Sequence, residues 1–153
     1  MNIIMTGSTS FVGAATVREL LRRGHTVTAI VRPKSSKLDT ILEGNEEALL
    51  SGRLLVTEND LSEPEKLLEK VTKPQEVFCH FGWGGSGSVS RTDKALQEKN
   101  MEISLETIRT AKALGCKKFL FSGSQAEYGM HQDLITENTV CEPKSLYGEA
   151  KLA

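Results

Sequence analysis

The sequence predicts an α/β fold, a doubly wound parallel sheet, on three observations. Short apolar runs recur along the 153 residues with helical stretches between them, the alternation that lays parallel strands side by side under crossover helices. The first run, Ile3-Ile4-Met5, passes directly into a turn of small residues that opens a helix. The fourth, Glu76-Val77-Phe78-Cys79-His80-Phe81, is nearly continuously apolar, as a strand covered on both faces has to be.

After the first strand, Phe11, Val12, Ala14, Ala15, Val17, Leu20 and Leu21 recur at helical spacing, and Gly24 stops the helix. Residues 25–31 read as a second strand, residues 34–50 as a polar segment with helical patches around Leu38, Ile41 and Leu42, and residues 53–57 as a third strand. Ser62 with Glu65 three residues on predicts a capping box for a short helix through Glu69. A loop over residues 82–88, Ser86 among them, follows the fourth strand. Residues 91–114 form a long helix with Ala95, Leu96, Ile103, Leu105, Ile108, Ala111 and Leu114 as its apolar stripe, and Gly115 ends it. A fifth strand over residues 118–122 opens into a loop of about 20 residues, a length that in a compact domain usually serves a function. Ser145 then starts a helix carrying Tyr147 and Lys151.

Length and composition are those of one ordinary globular domain spanning residues 1–153. A net charge of -1 without a dense Lys/Arg patch gives no electrostatic footprint for nucleic acid or an anionic membrane, so neither is expected as a partner. Cys79, Cys116 and Cys141 are odd in number and lack metal-ligand spacing to His25, His80 and His131, which predicts free thiols in a reducing compartment and no metal. The N-terminal apolar run is too short for a signal peptide or a membrane span, and the expected location is the cytoplasm.

The first turn offers backbone N–H groups at the positive end of a helix dipole, which is what a pyrophosphate needs. Gly7, Ser10 and Gly13 stand where a dinucleotide fingerprint has three glycines. Gly7 allows the tight turn and Gly13 close packing of helix on strand. Ser10 in the middle either narrows the approach to the phosphates or adds a hydroxyl donor, and the bland alternative is an ordinary capped helix start. Arg32, Asp60, Phe81, Gly82, Trp83, Ser122 and Ser124 all fall at carboxyl ends of strands, where such sheets bind ligands. Tyr147 and Lys151, four apart, share one helix face. A phenol exchanges protons near neutral pH only when a neighbouring cation favours its anion, and Lys151 supplies that cation while Ser124 hydrogen-bonds the reacting oxygen. A Tyr and a Lys on a solvated helix face are the alternative.

These parts in this order resemble the extended short-chain dehydrogenases/reductases, and within them the nucleotide-sugar epimerases and dehydratases. TGSTSFVG resembles the family's TGxxGxxG apart from Ser10, Asp60-Leu61 its adenine-contacting Asp, and CHFGW its strand-four segment. Asn100 matches the Asn early in its long helix, and FSGSQAEYG with YGEAK matches its serine strand and Y-x-x-x-K. The resemblance covers the whole chain and implies a Rossmann domain binding NADP or NAD. It implies Ser124, Tyr147 and Lys151 as the catalytic group, with Tyr147 as general acid/base and Lys151 also on the nicotinamide ribose. Gly7, Ser10, Phe11, Val12 and Gly13 would line the pyrophosphate, Asp60 and Leu61 the adenine, and Phe81, Gly82, Trp83, Asn100 and Ser122 the middle of the cofactor. The second strand closes with Val31-Arg32, followed by Lys34 and Lys37, where an acid would hold the ribose of NAD, so NADP is favoured.

Gln125-Ala126 stands where the family's dehydratases carry an acid pair, which favours an epimerase or a reductase. The implied substrate is a nucleotide-linked sugar, and the implied assembly a homo-oligomer. The family continues beyond the point reached at Ala153 with more sheet and a substrate-binding domain, so the resemblance implies a C-terminally truncated Rossmann part. Two other readings stay open, a non-catalytic dinucleotide sensor and an inactive fragment of such an enzyme.

Overall fold

A computed structural model describes residues 1–85 and 87–153; Ser86, expected in the loop after the fourth strand, lies outside the described residues. They divide into two compact units, Met1–Gly82 with Leu105–Phe121 and Trp83–Ser104 with Ser122–Ala153.

The first unit is built on β1 (Asn2–Thr6), β2 (Thr26–Val31), β3 (Leu54–Glu58), β4 (Val77–His80) and β5 (Lys118–Phe121). All pairings are parallel, in the order β3-β2-β1-β4-β5. The chain winds outward from β1 to β3 and then returns to β4 on the other side, so β1 and β4 flank the switch point of the sheet. Alternation along β1 sends Ile3 and Met5 to one face and Ile4 to the other. On the first face α1 (Phe11–Arg22) buries Ala14, Val17 and Leu21 against Val27, Ala29 and Val31, and the short helices α2 (Asp39–Leu42) and α3 (Glu46–Leu50) add Ile41 and Ala48. Full burial of a side chain such as Val17 contributes roughly 1.5–3 kcal/mol. On the second face Leu67 of α4 (Leu67–Lys70) and Ala111 of α5 (Lys94–Ala113) pack with Ile30 and Phe78. The rings of Phe78 and Phe119 lie 5.6 Å apart.

The second unit contains residues 94–104 of α5 and the helix α6 (Leu146–Leu152), with single 3-10 turns at Ser90–Thr92 and Gln125–Glu127.

Several local expectations are corrected. Residues 34–50 hold two short helices because Gly44, at φ +75°, breaks the run. The Ser62–Glu65 capping box does not form: the Ser62 N–H and hydroxyl both donate to Asp60 Oδ1, at 2.9 and 2.7 Å, since a charged acceptor two residues away captures them. The following turn, Pro64–Lys66, has no side-chain cap. A capping box forms instead at Ser124 and Glu127. The long helix starts at Lys94 rather than Arg91, because Asp93 Oδ1 takes the N–H of Leu96 at 3.1 Å. Its buried face is Gln97, Asn100, Ile103, Thr107, Thr110 and Ala111, while Leu105 and Ile108 are 57% and 45% exposed. Leu105 lies about 200° around the helix from Ile103, so a single stripe cannot hold both.

Candidate functional site

Gly7 ends β1 at φ +68°, and a Cβ there would lie 2.6–2.8 Å from the backbone of Phe81 and Gly82. A Cβ on Gly13 would lie 2.0 Å from the Gly7 carbonyl oxygen. Both glycines are therefore required by close backbone packing. Ser10 sits in an extended conformation and caps α1, its Oγ accepting from the Gly13 N–H at 3.0 Å. The buried Ser8 hydroxyl donates to the Ile30 carbonyl at 2.8 Å and pins the turn to β2. Among the described residues the N–H groups of Phe11 and Val12 have no protein partner, and the first turn of α1 carries no acid to offset its dipole. Phe11 is 95% exposed. This donor set fits a pyrophosphate.

An open cavity of about 610 Å3 beside this turn is lined by Thr9, Ser10, Phe11, Arg18, Lys37 and Thr40, among others. At the strand ends, the Thr6 hydroxyl accepts from the Gly82 N–H at 3.2 Å and bonds the buried His80 Nδ1 at 2.8 Å, which makes His80 part of the sheet's interior bonding. The Leu61 side chain closes on Gly82, where a Cβ would meet it at 2.6 Å. Asp60 is exposed, and the Ser62 hydroxyl and N–H hold its carboxyl below the usual range, with smaller help from Lys66 and Arg32. Arg32 is exposed at the end of β2.

In the second unit Asn100, 2% exposed, grips the chain after β4: its Oδ1 accepts from the Gly84 N–H and its Nδ2 donates to the Gly84 carbonyl, both at 2.9 Å. Gln97 accepts from the Trp83 indole N–H at 3.1 Å and donates to the Ser90 carbonyl at 2.8 Å. Ser145 caps α6, its Oγ accepting from the Gly148 N–H at 3.1 Å. A Cβ on Gly148 would lie 2.3 Å from the Ala126 carbonyl oxygen, so this glycine lets α6 seat against the Gln125–Glu127 turn.

That seating brings Tyr147 edge-on to Trp83, with centroids 6.0 Å apart at 89°, and sets Lys151 Nζ 3.9 Å over the indole. The same Nζ donates to the Ser122 carbonyl at 2.9 Å, and the Arg91 guanidinium carbon lies 4.9 Å from the centre of the Tyr147 ring. Lys151 is only 7% exposed, and burial lowers its pKa from 10.5 to about 8 against the opposing charge of Glu127. It stays an ammonium at pH 7. Ser124 Oγ accepts from the Ala126 N–H at 3.2 Å, while the Glu127 carboxylate accepts from the Ser124 N–H.

The second unit thus brings Trp83, Ser122, Tyr147 and Lys151 together, whereas the Ser124 hydroxyl is engaged in holding its own turn. Sequence reasoning missed Gln97, Arg91 and Glu127. Gln97 and Asn100 stand three apart at helical spacing, and Ser124-x-x-Glu127 is itself a capping-box pattern, so two of the three left a signal. Arg91 left none. Burial raises the thiol pKa values of Cys79 and Cys116, the latter to about 11, which keeps both out of nucleophilic chemistry at neutral pH. Among the described residues no cluster of three His, Cys, Asp or Glu could hold a metal, and no helix is long and apolar enough to cross a membrane.

The model of the NAD dependent epimerase/dehydratase family matches residues 3–153. The chain belongs to this family. Over 99% of its length it is 31% identical to dTDP-6-deoxy-L-talose 4-dehydrogenase (NAD(+)) from Aggregatibacter actinomycetemcomitans, covering 52% of that protein. It is 29% identical to D-erythronate dehydrogenase from Cupriavidus necator, again over 99% of the chain and 47% of the relative. A crystal structure of UDP-glucose 4-epimerase superposes with a TM-score of 0.81 at 26% identity, covering 99% of this chain and 44% of that one. The chain spans about half the length of the curated relatives it matches. The doubly wound α/β fold is common to this family and this chain.

Proposed function

We propose that the chain is the cofactor-binding part of an NAD(P)-dependent epimerase or reductase of a nucleotide-linked sugar, with Tyr147 as general acid/base. The observation that carries the reading is the ammonium of Lys151, buried between the Trp83 indole and the Ser122 carbonyl one helical turn from Tyr147. Buried titratable groups with displaced pKa values cluster at functional sites. The place of Lys151 one turn from Tyr147 favours proton chemistry over dinucleotide binding alone.

Under this reading Gly7, Ser10, Phe11, Val12 and Gly13 hold the pyrophosphate, the open N–H groups of Phe11 and Val12 doing most of the bonding. Asp60 and Leu61 contact the adenine, and Phe81, Gly82, Trp83, Asn100 and Ser122 line the middle of the cofactor. Arg32 and Lys37, both exposed, favour a phosphate on the adenine ribose, hence NADP over NAD. The nicotinamide supplies the hydride acceptor or donor. Tyr147 moves the proton at the sugar oxygen, Lys151 favours the phenolate and holds the nicotinamide ribose, and Ser124, whose Oγ accepts from the Ala126 N–H, donates its hydroxyl hydrogen to the reacting oxygen. Relatives named for dTDP- and UDP-sugars support that substrate class. The reading also carries self-association through exposed apolar positions such as Leu105 and Ile108, checked by the mass in solution, and a reducing cytoplasm in which the three cysteines stay free.

The test is NADPH and NADH titration followed by turnover of UDP- and dTDP-linked sugars. Tyr147→Phe should lower turnover by about 10²–10⁴-fold, the worth of a positioned proton donor, with cofactor affinity unchanged. Retained turnover removes Tyr147 from the mechanism. Cofactor binding without turnover of any such sugar returns the chain to a sensor or an inactive fragment.

A further inference from the structure

Arg91 is the single arginine of the second unit, and its basic neighbours there are occupied. Lys94 pairs with Glu98 at 3.7 Å, Lys99 with Glu102 at 3.2 Å and Lys144 with Glu142 at 3.7 Å, while Lys151 is buried on the indole. Arg91 is exposed, and among the described residues no hydrogen bond or ion pair reaches its guanidinium. It lies over the face of the Tyr147 ring, its guanidinium carbon 4.9 Å from the centroid. A ring-face contact satisfies none of its N–H donors, so the planar guanidinium fork stays available to an oxyanion. Among the described residues no ion pair joins it to Asp93, the nearest acid in sequence, whose Oδ1 accepts the Leu96 N–H at the start of α5. The backbone that carries Arg91 is also fixed, since the buried Gln97 ties the Ser90 carbonyl to the Trp83 indole with one amide.

We propose that Arg91 is a substrate-binding residue that receives an oxyanion, a carboxylate or a phosphate, beside the ring of Tyr147. The proposal rests on the reading of Tyr147 as the reacting group only for the word substrate; the anion site itself stands on Arg91 and its surroundings. A charge-assisted bidentate bond would orient an anionic substrate over Tyr147, and a neutral sugar would gain nothing from it.

The chain has one tryptophan, Trp83, which touches Tyr147, so indole fluorescence reports binding at this place. Wild type, Arg91→Gln and Arg91→Lys are titrated with UDP as a phosphate source, D-gluconate as a carboxylate source and D-glucose as the neutral control, and separately with NADPH. At least one of the two anions should saturate the wild type, bind Arg91→Gln about tenfold or more weakly, and bind Arg91→Lys at an intermediate strength; glucose should give no response. The anion that weakens identifies the source. Neither anion binding the wild type, or both binding Arg91→Gln undiminished, overturns the proposal. Failure of NADPH to bind any of the three proteins while an anion still depends on Arg91 would defeat the dinucleotide reading and leave the anion site standing.

Discussion

Replacing Lys151 by Met should stabilise the protein at neutral pH, by an amount that disappears as the pH rises. The lysine is charged in the unfolded chain below its ordinary pKa of 10.5, whereas burial lowers that value to about 8 in the fold. At about 1.4 kcal/mol per pH unit, keeping the proton in the fold costs about 3 kcal/mol, and the whole penalty is present below pH 8. Between pH 8 and 10.5 the folded protein sheds the proton while the unfolded chain keeps it, so wild-type stability rises with pH and about 2 kcal/mol is recovered by pH 9.5. Methionine has a similar stem and no charge. Urea unfolding of both proteins at pH 7 and pH 9.5 isolates the effect, because packing lost with the uncharged stem enters the difference between the proteins equally at both pH values, whereas the charge-dependent contacts to Trp83 and the Ser122 carbonyl are already contained in the net lowering of the pKa. The advantage of Lys151→Met should shrink by about 2 kcal/mol on going from pH 7 to pH 9.5. An advantage that is independent of pH would refute the claim that burial of the ammonium is what the fold opposes. Enzymes commonly accept such a cost where the charge serves the reaction.

Three further outcomes follow from the packing and the charges. Gly13→Ala drives a methyl to 2.0 Å from the Gly7 carbonyl oxygen, so α1 has to shift; urea unfolding should show a loss of about 1–3 kcal/mol and an NADPH titration a weakened site. Asn100→Ala strips both the N–H and the carbonyl of Gly84 of their partner and should cost about 2–4 kcal/mol by the same denaturation assay, more than an exposed substitution on the same helix such as Glu98→Ala. Arg32→Ala should weaken NADP binding about tenfold or more while leaving NAD unchanged, and tighter wild-type binding of NAD than of NADP, or no loss for NADP, would refute the phosphate assignment.

Features that a few neighbouring residues decide were legible in the chain before it folds. Apolar runs such as Ile3-Ile4-Met5 and Val77-Phe78-Cys79 are strands covered on both faces, and the glycines at 7 and 13 mark a turn where the backbone must be bare, as the close approach of other backbone to either position bears out. A spacing of four between Tyr147 and Lys151 suffices to set them on one face of a helix. Even at this range competition between local partners was invisible: Ser62 and Ser124 each precede a glutamate by three, and only the nearby Asp60 carboxylate decided that the first box would not close. The face of α5 was likewise undecided, since Leu105 and Ile108 are as apolar as Ile103, and burial of Gln97, Asn100 and Thr107 depends on polar partners and packing that no helical period encodes. Folding alone set Lys151 against Trp83 and the Ser122 carbonyl, and Arg91 against Tyr147. These groups come from segments far apart in the chain, and their energies arise only when folding has excluded water between them and lowered the local dielectric, a condition that no single stretch of sequence carries.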